Sequence, residues 1–375
     1  MIYLDNNATT QPLPSVVVEM TEYLTEKWGN PSSAHAFGLV AKTGLDHARR
    51  SVADLVAADP EMVVFTSSAT EANNTAILSA LRGAHGKRRI VTAATEHSAV
   101  ITMGRAQEAA GYELVLVKPL PSGMADVHAL TDAINSDTAI VSIMWANNET
   151  GVINPVAEIA ALCRERGVFF HCDAVQAAGK LQIDLRASPA DYVTLSAHKI
   201  HGPKGIGALI VGPQASFAPM HYGGHQEKGR RAGTENVPAA VGFAKAASLA
   251  AAELSHRVQY VAALRDRLEG KILAEVPGTV VNGSGAPRLA NTTNIGFAGV
   301  DSDTLVSLLD QRGVCVSSGS ACLSDAIAPS HVILAMTGSY QKASEAIRFS
   351  LSHMNTEAEI DRAIEAVRQA VVSLR

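Results

Sequence analysis

Tyr192-Val-Thr-Leu-Ser-Ala-His-Lys199 is the stretch on which the fold turns. Tyr192 to Leu195 reads as a buried strand, and the next four residues bring a serine, a histidine and a lysine to its carboxyl end. In open α/β sheets that end is where ligands bind. Working outward, the same texture recurs. Met62-Val-Val-Phe65, Arg89-Ile-Val-Thr-Ala93, Tyr112-Glu-Leu-Val-Leu-Val117, Thr138-Ala-Ile-Val-Ser-Ile-Met-Trp145 and Val168-Phe-Phe-His171 lie upstream, and Gly207-Ala-Leu-Ile-Val211 follows. The spacing of apolar residues predicts helices over 70–81 and 156–166. Near-continuous apolar strands separated by helices predict an α/β fold with a mostly parallel, seven-stranded sheet covered on both faces.

The chain has 375 residues, 47% of them hydrophobic and 18% charged, with a net charge of −5. Such a chain buries a large core and is not disordered. No basic excess suits nucleic acid. No apolar run approaches the roughly 20 residues that span a bilayer. Met1-Ile-Tyr-Leu-Asp5 lacks the basic and apolar regions of a signal peptide. The expectation is a cytoplasmic enzyme without a nucleic-acid or membrane partner. Beyond residue 215 the texture changes. Residues 221–236 read as a polar, Gly-rich loop, and 237–273 as one or two Ala-rich helices. The tail alternates strands at 293–297, 314–317 and 347–351 with a helix over 303–312 and a last helix, which Thr356-Glu-Ala-Glu359 opens as a capping box. The division expected is a large domain over 15–255 and a smaller α+β domain from 1–14 and 256–375.

Four strand ends carry chemistry. Lys199 in a dry site would have a lowered proton affinity and form Schiff bases; exposed, it would be an ordinary loop lysine. His171-Cys-Asp173-Ala-Val-Gln176 also follows a strand. An acid there is usually a cap or a surface charge. Paired with a strand-end lysine, it suits a pyridinium nitrogen, with the lysine on the aldehyde carbon of pyridoxal phosphate. Thr66-Ser-Ser-Ala69-Thr70 leads into a helix whose free N–H groups would cradle a phosphate, unless the segment is only a helix cap. Thr95-Glu96-His97 offers an imidazole to stack on a ring and move protons, or a satisfied loop histidine. Each signal is weak alone, but all four suit parts of one cofactor.

Cys163, Cys172, Cys315 and Cys322 are too sparse for a disulfide scaffold, and no CxxC pair occurs. Cys163 and Cys172 read as structural and Cys315 as a core thiol. Cys322 follows Ser-Ser-Gly-Ser, small residues with few apolar anchors, and reads as a nucleophile on a mobile loop; the alternative is an incidental surface thiol. Arg348, inside an apolar strand, would grip a carboxylate or form a buried ion pair. Gly202-Pro-Lys-Gly205-Ile-Gly207 precedes a strand and is no dinucleotide fingerprint. His198 with His201, and His221 with His225, lack a supporting HExxH or CxxC, so no metal site is expected.

Nearly end to end, the chain resembles the cysteine desulfurases of the NifS/IscS type, members of the class V aminotransferase family and fold-type I pyridoxal-phosphate enzymes. The resemblance rests on Tyr3-Leu-Asp-Asn-Asn-Ala-Thr-Thr10, Gly29-Asn-Pro-Ser-Ser33, Ser68-Ala-Thr-Glu71, Thr95-Glu-His97, Asn147-Asn-Glu-Thr-Gly151 and His171-Cys-Asp-Ala-Val-Gln176. It continues in Ser196-Ala-His-Lys199, Arg231-Ala-Gly-Thr234, Ser317-Ser-Gly-Ser-Ala-Cys322 and Ile347-Arg-Phe-Ser350. The opening motif and Asp-Ala-Val-Gln look like the nitrogen-fixation branch, whereas Leu323-Ser-Asp-Ala-Ile-Ala-Pro329 departs from the usual residues after the loop cysteine.

The resemblance implies a role at each matching position. Lys199 would carry pyridoxal 5′-phosphate and shuttle protons. Asp173 would hold its ring nitrogen, Gln176 its phenolic oxygen, and His97 would stack on the ring. Ala69, Thr70, Ser196 and His198 would bind the phosphate. Thr234 would reach it from a second subunit, which implies a homodimer. Asn148 and Arg348 would hold the carboxylate of L-cysteine. Cys322 would take the sulfur as a persulfide, pass it to an iron–sulfur scaffold or another acceptor protein, and transiently ligate a cluster with that partner. A selenocysteine lyase or another enzyme of the class V aminotransferase type is the alternative. A catalytically silent binding protein is a further one, against which the intact Lys199 and Asp173 speak.

Overall fold

Residues 1–319 and 329–375 are described by the structure, a computed structural model. The chain begins with β1 (Ile2–Tyr3), α1 (Pro14–Thr25) and α2 (Ala36–Asp54). An alternating run follows: β2 (Val63–Thr66), α3 (Ala69–Gly83), β3 (Arg89–Ala93), α4 (Ser98–Glu108), β4 (Glu113–Val117), α5 (Val127–Ala133), β5 (Thr138–Ser142), α6 (Val156–Arg166) and β6 (Phe169–Asp173). Then come β7 (Tyr192–Ser196), β8 (Gly207–Val211), α7 (Val237–Ala252), α8 (Leu254–Glu275), β9 (Thr279–Val281), β10 (Thr292–Phe297) and α9 (Ser302–Gln311). The last elements are β11 (Val314–Cys315), α10 (His331–Thr337), α11 (Tyr340–Ser344), β12 (Ala346–Ser350) and α12 (Glu357–Leu374).

Seven strands form the central sheet in the order β2-β8-β7-β6-β5-β3-β4. β8 alone runs opposite to the other six. Alternate side chains feed the two faces, as a pleated strand requires. Val64, Ile140, Tyr192 and Leu209 pack with α3 and α4, while Val63, Val141, Val193 and Ile210 join the core on the opposite face. From β3 the chain steps outward to β4, then returns to place β5, β6 and β7 on the other side. The reversal opens a crevice between the carboxyl ends of β3 and β5, the usual ligand position in such sheets.

A three-stranded antiparallel sheet, β12-β10-β9, and a parallel pair, β1-β11, frame a second core. Ile2 and Leu4 pack there with residues of α8, α9, α12 and β12. The capping box of α12 forms as expected: Thr356 accepts from the Glu359 N–H, and the Glu359 carboxylate accepts from the Thr356 N–H. Two strands are shorter than the apolar runs suggest. β5 stops at Ser142 because the chain then bends into the Asn147 turn, where the Asn147 side chain accepts from Glu149 and Thr150. β11 has two residues, and Cys315 is partly exposed rather than in the core, because among the described residues β1 alone pairs with that strand. Cys163 and Cys172 are buried. Among the described residues, no single helix is long and apolar enough to cross a membrane.

Candidate active site

Lys199 ends a single turn after β7, and its amine donates to the carbonyls of Asn7 (2.6 Å) and Ala8 (2.7 Å). The N-terminal segment is therefore a wall of the site. It is held there by Thr10, which donates through backbone N–H (2.9 Å) and hydroxyl (3.0 Å) to the His198 carbonyl. On the far side, Asn6 donates to the Ser350 carbonyl and the Asn7 N–H to the Ser350 hydroxyl.

Asp173 closes β6 and is buried. One carboxylate oxygen accepts from the Val175 N–H (3.0 Å), the other from the Asn73 side-chain amide (2.8 Å). The Asn73 side-chain oxygen Oδ1, also buried, has no hydrogen-bond partner among the described residues. His97 is the N-cap of α4, and its Nδ1 accepts from the Ala99 N–H (3.1 Å), which leaves the proton on Nε2. Burial pushes the imidazole below its ordinary value. The Asp173 charge opposes that, and the Lys199 and His331 charges add to it. Lys199, Asp173 and His97 thus converge, each from a strand end. Glu96, next to His97, is wholly buried. Its carboxyl is pushed well above the usual range by burial and then by Asp173, and it accepts a short hydrogen bond from the Met144 N–H.

At the start of α3, Ser68 caps the Glu71 N–H, and the first intrahelical bond runs from Ala72 to Ser68. The amides of Ala69 and Thr70 precede that bond and have no carbonyl within the helix to meet. Ser196 pairs with Gly207 beside them. A Cβ at Gly207 would lie 2.8 Å from the Ser68 carbonyl carbon, so only glycine lets β8 approach this helix end. His198 shares a hydrogen bond with Thr9 (3.1 Å), and burial lowers it to about 4. Thr234 stands elsewhere, exposed on the 212–236 loop, where it borders a hollow with Ser67, Gly205 and Glu227 of its own chain.

Arg348 is buried on β12. Its guanidinium pairs with Asp5 (2.6 Å) and donates to the Asn148 carbonyl (3.2 Å), while its buried Nε has no hydrogen-bond partner among the described residues. The ion-pair alternative is therefore present, with one donor to spare. Asn148, His97, Glu149, Gly319 and His331 line one cavity. Gln176 donates to the Asn7 carbonyl (3.0 Å). Ser317 and Gly319 are held by hydrogen bonds: Ser317 exchanges backbone hydrogen bonds with Arg348, and the Gly319 N–H meets the Ser317 hydroxyl. Cys322 lies outside the described residues.

Sequence reading passed over Asn73, Asp5, Asn7 and Lys180 as functional groups. Asn73 sits one turn after Ala69, on the face of α3 turned to the sheet, and that spacing was the available signal. The donor set suits an anionic pyridine aldehyde: two helix-end amides for a phosphate, a buried carboxylate oriented by an amide, and an amine held by two carbonyls.

Residues 2–363 match the model of the class-V aminotransferase family. The chain is 46% identical to a cysteine desulfurase of Nostoc sp. over 375 residues, covering all of this chain and 94% of the relative. It is 48% identical to a cysteine desulfurase of Bradyrhizobium diazoefficiens, covering all of this chain and 95% of that one. Among solved structures, a NifS-like protein superposes with a TM-score of 0.92 at 34% identity, with full coverage of both chains. One described as SspA in complex with cysteine gives 0.83 at 30% identity, over 95% of this chain and all of that one. The strand ends described above thus lie in a known fold and sequence lineage, and the chain belongs to the class-V aminotransferase family and, within it, to the cysteine desulfurases.

Proposed function

We propose that this chain takes the sulfur from L-cysteine, releases L-alanine and holds the sulfur as a persulfide on Cys322, using pyridoxal 5′-phosphate held between Lys199 and Asp173. The observation that carries the reading is the convergence of Lys199, Asp173 and His97 at the carboxyl edge of the central sheet. When bound, the cofactor supplies an electron sink for the substrate α-carbon.

The chain's own residues do the rest. Asp173, oriented by Asn73, keeps a proton on the ring nitrogen. The amides of Ala69 and Thr70, the Thr70 hydroxyl, Ser196 and His198 hold the phosphate. Gln176 donates to the phenolic oxygen, and His97 stacks on the ring as a neutral imidazole. The Lys199 amine moves the α-proton. The spare Nε of Arg348 and the side chain of Asn148 hold the substrate carboxylate, while Asp5 keeps the guanidinium in place. The Cys322 thiolate attacks the substrate sulfur: an S–S bond forms, the C–S bond breaks, and its electron pair leaves with the alanine carbon.

The working unit of this reading is a homodimer in which Thr234 completes the partner's phosphate site. Its support is the exposure of Thr234 and an apolar strip on α1, the loop after it and the start of α2, where Val18, Leu24, Trp28 and Phe37 stand 52–66% exposed. The persulfide passes to an iron–sulfur scaffold or another acceptor protein, in the cytoplasm, within a nitrogen-fixation branch of the family. The test is incubation of the yellow protein with L-cysteine and a thiol reductant. Equal amounts of sulfide and alanine are expected; alanine without sulfide, or neither product, overturns the reading.

A further inference from the structure

Lys180 takes part in none of these steps, yet it sits among the groups that do. It lies four residues after Gln176 and donates to the Gln176 side-chain oxygen (2.6 Å) and to Asn7 Oδ1 (3.1 Å). The Gln176 Nε2 then donates to the Asn7 carbonyl (3.0 Å), which also accepts from the Lys199 amine (2.6 Å). One unbroken chain of hydrogen bonds therefore joins two amines, Lys180 and Lys199, through Gln176 and Asn7. Asn7 cannot slide out of it. Its side-chain nitrogen is tied to Thr292 (2.8 Å) and the Asn148 carbonyl (3.0 Å), and its N–H to Ser350 (2.9 Å). An amide side chain is nearly symmetric in shape, so its neighbours decide which end donates. Lys180 has only donors when charged, and it faces the oxygen.

We propose that Lys180 is a positioning residue of the active site, whose ammonium fixes the Gln176 amide with its N–H toward Asn7 and the cofactor site and whose charge eases proton loss from the Lys199 nitrogen. The inference rests on the reading that Lys199 carries the cofactor. The groups facing Lys180 are cations or imidazoles. Lys199 and Arg348 act on it directly, and His201, Arg257 and His353 line the same cavity. Arg257 has Glu253 as its own partner, and Arg348 has Asp5. Burial, then Lys199 and Arg348, brings Lys180 down to about 7. Like charges so close lower one another's hold on a proton.

The experiment titrates the visible absorption of the bound cofactor with pH in the parent, Lys180→Met, Lys180→Gln and Lys180→Arg. Loss of the charge in Lys180→Met and Lys180→Gln is expected to raise the midpoint by roughly 0.5–1 pH unit. Lys180→Arg keeps the parent's midpoint. Lys180→Gln retains a donor for the Gln176 oxygen and serves if Lys180→Met does not fold. A coloured Lys180→Gln protein with the parent's midpoint overturns the proposal and leaves the role of Lys199 standing. So does an equal rise in Lys180→Arg. A colourless parent overturns both readings.

Discussion

Two hydrogen bonds, from Val175 and Asn73, fix the direction of the Asp173 carboxylate, and two carbonyls fix the Lys199 amine. Lys199→Ala removes the amine that holds the cofactor and moves the proton. Sulfide release should fall by at least about 1,000-fold, since a general acid–base group alone contributes roughly 100- to 10,000-fold. Lys204→Ala, a few residues on, should stay close to the parent; near-parent turnover in Lys199→Ala would refute the assignment. Cys322→Ser separates the two halves of the reaction. Cofactor spectra should still change when cysteine is added, but no protein-bound extra sulfur should appear by mass under non-reducing conditions. Extra sulfur on Cys163, Cys172 or Cys315, in a Cys322→Ser protein that still turns over, contradicts the persulfide site. Lys199, Asp173 and His97 were legible because each lies at or shortly after the end of an apolar strand. Asn73, Asn7 and Lys180 were not, because their meaning depends on partners brought close by folding: Asn73 lies 100 residues from Asp173 and Asn7 lies 192 from Lys199.

At the scale of elements, the 212–236 loop is less free than its composition suggests. Glu227 and Lys228 both adopt left-handed backbone, at φ 48° and 60°, a strained choice for side-chain-bearing residues. A buried ion pair holds them there. Arg49 of α2 grips both Glu227 oxygens (2.8 and 2.6 Å), and the same carboxylate accepts from the Phe65 N–H of β2. Arg49→Met strands a carboxylate with about 4% of its surface exposed. Removing one partner of such a pair costs about 3–5 kcal/mol. Thermal unfolding should register that loss, and cofactor retention should fall with it as the Thr234 segment moves. An unchanged melting temperature contradicts the anchoring role. Nothing in the residues between 221 and 236 announces Arg49, so a plain loop was the natural reading. The long helices and the capping box were legible because helix periodicity and capping are local; the early end of β5 was not, because the Asn147 turn cuts off an apolar run that could have continued.

For the whole molecule, buried histidines set the response to acid. Burial lowers His171, His198, His201 and His353 to about 4 each. In the unfolded chain the same imidazoles take up protons near their ordinary value of about 6.5. Their contribution to stability is complete above that value and is lost as pH falls toward 4. His97 is lowered by burial as well, and Glu96, Glu149 and Asp191, raised by burial, act in the opposite sense, three groups against five. The melting temperature should therefore fall between pH 6.5 and 4.5; a flat profile contradicts the balance. Association is the other property of this scale. Phe37→Asp, on the exposed apolar strip, should yield monomers by sedimentation that release cofactor more readily, and an intact dimer would remove the strip from the interface.

The wall of the site made by Asn6 and Asn7 also bears on how the protein is synthesised. Asn7 is made before its anchor: the Ser350 hydroxyl that receives its N–H is 343 residues further along the chain. At roughly 5–20 residues per second, a ribosome needs about 20–70 s to bridge that gap. In the later part of that interval, once Val211 has been made, the central sheet has all seven of its strands, while the amine of Lys199 faces a wall not yet anchored. A nascent chain halted between β8 and β12 is thus expected to have a folded sheet and an open site, and competence arrives only when β12 has been made.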